Sequence, residues 1–377
     1  MNNQPNPKDL VDPKQPIFIY DIHKPWEKVV ANEPIWLSGK FPEHPKEKKY
    51  KFLGFDLVSP IAISAGPASR KPWTDFYLKM GYGLVLEKTR RSTPRKSNQA
   101  PNISIVKAEG QLTRDNLGNP LKGSMNDEDF NKYKSITNSF GNPSPKIETW
   151  ANELKEQVKS VGDGQIVGCS VTATFPESGP VSSDPIAETV LDLLVAASAA
   201  VIAGAKVIEF NLACPNVTEN TEEGEMFMSE QLVKYLFEQF KRRFPEIKAG
   251  FKFGLYKDKE QMKQVFKAAG ENLDYVSGVN AIAAPVLADD GSEILPGRKT
   301  SGVCGKVMKD IALEEIKWAS EIRKEDGLKY EILGGGGIVE ISDVDEFLNA
   351  GADMVQVATI ALADPLFAYK YSLNAAL

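Results

Sequence analysis

The chain has 377 residues, of which 42% are hydrophobic and 25% charged, a balance typical of a soluble globular protein with a sizeable core. Its net charge of -6 argues against nucleic acid or an anionic membrane surface as main partner, and no apolar run is expected to reach the roughly 18 residues that span a bilayer. Its three cysteines are scattered, which excludes a disulfide framework or a Cys-rich metal site. The N-terminus has no signal-peptide features, and together these observations predict a cytoplasmic protein.

Residues 1–48 are rich in Pro, Lys and Glu, with scattered aromatics, and we predict that they form an extended arm over the domain formed by residues 49–377. The domain starts with a predicted hairpin over residues 49–56. Apolar runs of strand length then alternate with amphipathic segments of helix length. The predicted strands are Pro60–Ser64, Gly83–Lys88, Gln165–Val171, Val207–Leu212, Ala249–Phe253, Tyr275–Asn280, Tyr330–Leu333 and Met354–Ala358.

Between and after these strands lie the predicted helices, which are Lys146–Val161, Ile186–Ala203, Ser229–Arg243, Lys259–Ala269, Ile311–Glu325, Val344–Ala350 and Leu366–Leu377. Near-continuous apolar strands joined by helices indicate a parallel sheet covered on both faces. Eight strands over roughly 320 residues favour an α/β fold of the closed (β/α)8 TIM barrel type over a doubly wound open sheet. The irregular residues 89–137 interrupt the alternation, which predicts an active-site lid or an oligomer contact.

In such a barrel, functional residues lie at the carboxyl ends of the strands. A run of four glycines that includes Gly336 and Gly337 follows the seventh predicted strand, and Thr359 follows the eighth. Backbone N–H groups and a hydroxyl on these two adjacent loops predict a phosphate cradle, with a flexible turn as the alternative. The first strand ends in Ala65 and Gly66, small residues that let a ligand approach the backbone.

Lys88 and Lys252 end apolar strands, and each needs a polar or anionic partner because an unpaired buried ammonium is costly. A structural ion pair would meet that need, and so would a flavin ring, which gains negative charge on reduction. Cys214 lies between Asn211 and Asn216 after the fourth strand. Its thiol is either an inert packing group or, once ionised, a base or nucleophile beside two amides that suit a flat polar ligand.

This set of residues resembles the dihydroorotate dehydrogenase family, flavin mononucleotide (FMN) enzymes on a (β/α)8 barrel, from about Phe52 to Leu373. The segment Asn211-Leu-Ala-Cys-Pro-Asn216 is similar to the family pattern Asn-x-Ser-Cys/Ser-Pro-Asn. The resemblance makes Cys214 the catalytic base, and a cysteine there is typical of the soluble class 1 branch. The segment Asn138-Ser-Phe-Gly-Asn142 resembles the family loop Asn-x-Met-Gly-Leu/Phe, which holds the substrate carboxylate.

The resemblance also implies roles for further residues. The expected substrate contacts are Asn138, Phe140, Gly141 and Asn142 to the carboxylate, and Asn211, Asn216 and Asn280 to the pyrimidine ring. Lys88 is expected beside the flavin and in catalysis. The other expected FMN contacts are Ala65, Gly66, Thr89, Asn211, Lys252, Val279, Gly302, Gly336, Gly337, Ala358 and Thr359.

The implied reaction is oxidation of dihydroorotate to orotate, with Cys214 removing a ring proton while hydride passes to the flavin. The chain departs from the family pattern at Ala281, where a hydroxyl is usual, and at Phe140 and Asn142. Alternatives are another dihydropyrimidine substrate, a flavoprotein without catalysis, and a sugar-phosphate lyase or isomerase with a Schiff-base lysine. We expect a homodimer without membrane association, and a soluble electron acceptor such as fumarate or oxygen, or a partner subunit.

Overall fold

The structure, a computed structural model, describes residues 4–175, 183–214 and 224–374. Within these residues, eight parallel strands close into a barrel in which each strand pairs with its neighbours in chain order, β5 to β8 followed by β1 to β4. This closed barrel confirms the predicted (β/α)8 fold. The strands are β1 Ile61–Ile63, β2 Leu84–Arg90, β3 Ile166–Val171, β4 Val207–Asn211, β5 Lys248–Lys252, β6 Tyr275–Gly278, β7 Glu331–Gly335 and β8 Met354–Val357.

One helix follows each barrel strand, and polar caps fix where several of them begin. The side chains of Asp184, Ser229 and Asp258 accept hydrogen bonds from backbone N–H groups in the first turns of α3, α4 and α5. The helices are α1 Lys71–Lys79, α2 Ile147–Lys159, α3 Pro185–Ile202, α4 Glu230–Arg243, α5 Lys259–Ala269, α6 Lys309–Glu325, α7 Ile341–Asn349 and α8 Phe367–Asn374. Shorter helical segments are Pro7–Leu10, Trp26–Val30, Asp129–Tyr133, Met226–Met228, Gly270–Asn272, Lys306–Met308 and Thr359–Ala363.

Helix α1 was missing from the sequence expectations, although its buried residues Trp73, Phe76 and Tyr77 follow helical spacing. Helix α3 passes the length and composition test for a membrane-crossing helix, which corrects the expectation that no segment of the chain has that length and apolarity. Its inner face packs in the main hydrophobic cluster through residues such as Leu193 and Ala197, whereas Leu191 lies 56% exposed on the opposite face. A third of α3 is buried, and the helix packs against β3, α2 and α4.

The predicted hairpin is confirmed as an antiparallel pair of strands, Tyr50–Phe52 and Phe55–Leu57. Phe52 and Leu57 belong to a second hydrophobic cluster that contains inward residues of β2, β4, β6, β7 and β8. The hairpin is anchored by a hydrogen bond from the Leu53 N–H to the Glu331 carboxylate at 2.9 Å. Because Glu331 begins β7, the hairpin covers the amino end of the barrel, opposite the strand ends that carry chemistry.

The segment that interrupts the alternation after β2 is ordered into an accessory sheet. It supplies three strands, and the segment between β6 and α6 supplies the other three. Asn138 pairs with Gly302 between the second and third strands of this sheet, so two segments far apart in sequence meet in it. In spatial order the strands are Ile282–Ala284, Ser301–Gly305, Ser135–Asn138, Ile103–Lys107, Leu121–Ser124 and Val286–Leu287.

The described part of the N-terminal arm, residues 4–48, packs into the same hydrophobic cluster as the barrel. The Ile19 N–H donates to the Leu362 carbonyl at 2.8 Å, and the Trp26 N–H donates to Asn102 Oδ1 at 3.2 Å. These contacts tie the arm both to the end of the barrel sequence and to the accessory sheet. Tyr20 and Trp26 are thereby placed against the cavity described next.

Candidate active site

A cavity lies at the carboxyl ends of the barrel strands, between the barrel, the accessory sheet and the arm. Most of the residues expected at the site from the sequence line this single cavity. They are Ala65, Gly66, Lys88, Asn138, Phe140, Gly141, Asn142, Asn211, Cys214, Val279, Asn280, Gly336, Gly337, Ala358 and Thr359.

Three other expected residues do not line the cavity. Thr89 accepts a hydrogen bond from Asn211 Nδ2 at 3.2 Å and therefore supports that amide. Lys252 donates to Ser64 Oγ at 2.9 Å. Gly302 lies in the accessory sheet, where its carbonyl accepts from Asn138 Nδ2 at 3.2 Å. Asn216 lies outside the described residues.

Cys214 follows β4 and is buried, with 4% of its surface exposed. Asn142 reaches it from the loop before α2, and its Nδ2 donates to Cys214 Sγ at 3.0 Å. A donor aimed at sulfur favours the thiolate, which is the form that acts as a base. The surroundings of the other two thiols favour the neutral form. Burial and the charge of Glu87 raise the pKa of Cys169, and burial raises the pKa of Cys304, whose Sγ takes a longer contact of 3.5 Å from Asn138 Nδ2.

Lys88 points toward the face of the Phe140 ring, with Nζ 4.7 Å from the ring centroid. Burial and then the positive charge of Arg90 lower the pKa of Lys88 to about 8, while negative charge on Cys214 opposes that shift. A cation–π contact at this distance stabilises the ammonium only modestly. The cavity therefore holds an ammonium group that is close to titrating at neutral pH.

Lys252 forms an ion pair with Glu209, with 3.0 Å between Nζ and Oε1. The expected alternative of a structural ion pair thus holds for Lys252. The same ammonium donates to the Oγ of Ser64, a residue that follows β1 and lines the cavity. The charge of Lys252 is therefore balanced by Glu209 inside the barrel, and its hydrogen bond to Ser64 links β4 and β5 to the cavity wall.

Side-chain amides at the ends of β4 and β6 are held by one another. Asn280 Nδ2 donates to Asn211 Oδ1 at 3.1 Å and also to the Ala213 carbonyl, and its own Oδ1 accepts from the Ala281 N–H at 2.8 Å. Thr89 completes the set by accepting from Asn211. This network fixes the orientation of both amides before a ligand arrives, which reduces the entropic cost of binding.

The glycine run after β7 lies close to the first turns of α6. Gly336 and Gly337 have positive φ angles of 109° and 92°. A Cβ on Gly337 would lie 2.5 Å from the Lys309 Cα, and one on Gly336 would lie 2.7 Å from the Ala312 Cβ. Glycine is therefore required at both positions. The resulting loop presents bare backbone beside Thr359, as a phosphate cradle needs.

Several cavity residues were missed by reasoning from the strand ends. Tyr20 and Trp26 come from the arm, Met308 precedes α6, and Gln356 lies inside β8. Gln356 had a usable signal, since a polar residue within a buried strand indicates a functional or paired group. Its Nε2 donates to Ser277 Oγ at 2.8 Å, and its buried Oε1 has no protein partner in the described part of the chain.

The sequence of the chain matches a known protein family. The model of the family described as dihydroorotate dehydrogenase matches residues 48–371. The chain belongs to the dihydroorotate dehydrogenase family. It is 33% identical over 374 residues to the dihydroorotate dehydrogenase of Dictyostelium discoideum, an alignment that covers 94% of this chain and 97% of the relative.

Other members of the dihydroorotate dehydrogenase family are less similar to this chain. The chain is 26% identical over 238 residues, or 62% of its length, to the catalytic subunit of dihydroorotate dehydrogenase B (NAD(+)) from Halalkalibacterium halodurans, and covers 75% of that protein. It is 24% identical over 319 residues to the corresponding subunit from Listeria monocytogenes, covering 84% of this chain and 88% of the relative. The predicted family is confirmed, and a sugar-phosphate lyase is disfavoured.

Enzymes of the dihydroorotate dehydrogenase family are in general flavin-dependent oxidoreductases. The cavity residues fit such a cofactor on three structural grounds. The cradle of Gly336 and Gly337 suits an anionic phosphate, the buried Gln356 Oε1 offers an acceptor for a donor group on a ligand, and Lys88 suits a ring that gains negative charge.

Proposed function

We propose that the protein oxidises dihydroorotate to orotate in pyrimidine biosynthesis and uses FMN as its cofactor. The observation that carries the proposal is the cavity at the strand ends, which brings the Cys214 thiol together with Lys88, Asn211 and Asn280. Family membership supplies the reaction class.

Cys214 acts as the base. Its thiolate removes a proton from the substrate ring carbon next to the carbon that loses hydride, and the thiol formed returns the proton to solvent. The Asn142 amide, 3.0 Å from Sγ, is a donor to the sulfur that takes up this proton. The proton transfer needs no histidine, which agrees with both histidines lying in the arm.

The substrate is oriented by the loop before α2 and by the amides at the strand ends. Backbone groups of Phe140 and Gly141 and the ammonium of Lys88 hold the carboxylate, which pairs its negative charge with the cation of the cavity. Asn211 and Asn280 bind the ring, in the orientation that their mutual hydrogen bond fixes.

FMN would be held by Ala65 and Gly66 at the ring and by Gly336, Gly337 and Thr359 at the phosphate. When bound, it accepts the hydride from the substrate. Lys252 and Glu209 support the ring end through Ser64 without leaving an unbalanced charge in the barrel. The arm residues Tyr20 and Trp26 cover the cavity and help to exclude water.

The decisive experiment titrates the purified protein with orotate and with uracil and follows the flavin absorbance. A cavity built to bind a carboxylate discriminates against a ligand that lacks one by up to about 10⁴. We therefore expect a yellow protein that binds orotate far more tightly than uracil and is bleached by dihydroorotate under anaerobic conditions. Protein that stays colourless after incubation with FMN would refute the redox assignment, and equal affinities would refute the substrate.

The remaining proposals concern the surroundings of the enzyme. We infer a cytoplasmic homodimer that passes electrons to a small soluble acceptor such as fumarate or oxygen, or to a partner subunit. The acidic net charge supports the part of this proposal that places the acceptor away from a membrane, because it disfavours binding to an anionic membrane surface. Turnover with fumarate is expected to exceed turnover with a quinone in detergent, and the reverse order would contradict the proposal.

A further inference from the structure

Asn142 contacts the atom that performs the proton transfer. Its amide Nδ2 lies 3.0 Å from Cys214 Sγ, and both residues line the cavity. We infer that Asn142 is a further catalytic residue, which stabilises the Cys214 thiolate instead of binding the substrate carboxylate. The inference rests on the proposed function, because it assigns the role of base to Cys214.

The position of Asn142 is built by its surroundings. Its φ angle of 49° lies in the left-handed region, which asparagine tolerates better than other residues with a Cβ. Its carbonyl accepts from Nε of the fully buried Arg91 at 3.1 Å, and Arg91 Nη1 also donates to the Ala173 carbonyl. Nearby on α3, burial raises the pKa of the Asp192 carboxyl, while hydrogen bonds from Ser92 and the Thr174 N–H and then the positive charge of Arg91 oppose that rise.

The charges on the strands around Cys214 leave a positive balance near its sulfur. On β2, Arg90 pairs with Glu87 at 2.6 Å, and Lys252 on β5 pairs with Glu209 on β4 at 3.0 Å. Lys88 faces an aromatic ring, and its pKa responds to charge on Cys214. The thiolate is thus supported by the cation of Lys88 and by the direct donor of Asn142.

This donor is a property of the present chain. The loop resembles a family pattern that ends in Leu or Phe, and an apolar side chain donates no hydrogen bond to sulfur. A hydrogen bond to the charged form of an acid lowers its pKa, and a charge-assisted bond corresponds to a shift of about one pH unit. The chain is therefore expected to work at lower pH than a variant without the amide.

Two substitutions at Asn142 separate this role from a structural one. Asn142→Gly removes the amide but keeps a residue that adopts a positive φ angle. Asn142→Asp keeps the shape and the backbone tolerance but replaces the donor with a carboxylate. A matched control is Asn349→Asp, which makes the same charge change at an exposed position at the end of α7.

The measurement is the pH dependence of iodoacetamide alkylation of the FMN-loaded protein without substrate, resolved by peptide mass spectrometry. Relative to wild type, the midpoint for Cys214 should rise by about one pH unit in Asn142→Gly and further in Asn142→Asp. The midpoint for Cys304 should stay unchanged and serves as an internal control. Asn349→Asp should match wild type.

A second readout links the shift to catalysis. The pH at which flavin reduction by dihydroorotate reaches half its maximum should move by the same amount as the alkylation midpoint. Unchanged Cys214 midpoints in both variants would overturn the inference, as would a shift in alkylation without a shift in reduction. A wild type that dihydroorotate does not reduce would overturn the proposed function instead, while alkylation would still decide whether the amide stabilises the thiolate.

Discussion

Glu209 and Lys252 form an ion pair within the barrel wall, with 3.0 Å between Oε1 and Nζ and side chains that are 0% and 4% exposed. The two residues lie on the neighbouring strands β4 and β5, and Lys252 extends the connection to Ser64 after β1. A pair in this position keeps an ammonium close to the cofactor end of the cavity without an unbalanced charge. Its cost in desolvation is repaid only while both partners are present.

Removing one member of this pair is expected to destabilise the fold strongly. Glu209→Gln leaves a buried ammonium without a counter-charge and should lower the free energy of unfolding by about 3–5 kcal/mol. The double variant Glu209→Gln with Lys252→Met should lose less than the sum of the two single variants. Denaturant unfolding measures all three, and Glu156→Gln, in an exposed pair with Lys159, is the control that should show no change. If the losses of unfolding free energy in the two single variants add up to the loss in the double variant, Glu209 and Lys252 are not coupled.

If Cys214 is the base, a variant that lacks its thiol should react slowly but keep an intact cofactor site. Cys214→Ala should remain yellow, while the rate of flavin reduction by dihydroorotate falls by roughly 10² to 10⁴, the contribution of a positioned base. Anaerobic stopped-flow absorbance measures the rate, and the absorbance ratio of flavin to protein checks the loading. A variant that is reduced at the normal rate would remove Cys214 from the mechanism.

The lowered pKa of Lys88 predicts that activity declines at alkaline pH. With a pKa of about 8, its amine is charged below that pH and neutral above it. Because the proposed role needs the positive charge, flavin reduction should rise with the Cys214 thiolate and then fall above about pH 8. Lys88→Arg keeps the charge and should lose the alkaline decline in rate measurements across about pH 6 to 10. A wild-type profile that only rises would contradict the assignment.

The sequence predicted the place in the cavity of those residues that are close to the end of a barrel strand. Lys88, Asn211 and Gly336 belong to this class, since strand polarity fixes where they must lie. The accessory sheet was not predictable, because pairing between Asn138 and Gly302 joins short strands from segments far apart in the chain. Tyr20 was missed for a similar reason, as only tertiary packing brings the arm over the cavity.

The contact between Asn142 and Cys214 could not be derived from the motifs alone. Both residues were expected in the site, but the resemblance assigned Asn142 to the substrate carboxylate. The hydrogen bond depends on the left-handed backbone at Asn142 and on the buried Arg91 that holds its carbonyl. Neither feature follows from residue type or spacing, because each depends on how the loop packs in the folded protein.

Ala281 gives the last prediction, which tests how the cavity recognises the pyrimidine ring. It lines the cavity beside Asn280, and its N–H already donates to Asn280 Oδ1 at 2.8 Å, so a ligand in the cavity would not find this N–H free. Ala281→Ser supplies the hydroxyl usual in the family. One added neutral hydrogen bond contributes about 0.5–1.5 kcal/mol, which corresponds to roughly 2- to 12-fold tighter binding of orotate.

Uracil should gain by a similar factor, because the contact is to the ring that both ligands share. Titration of the flavin absorbance measures both affinities. The control is Ala283→Ser, two residues further along and exposed on the strand Ile282–Ala284, where the same hydroxyl reaches solvent and should change neither affinity. Binding of orotate that is unchanged or weaker in Ala281→Ser would mean that the ring lies away from this residue, and that Asn211 and Asn280 alone determine its orientation.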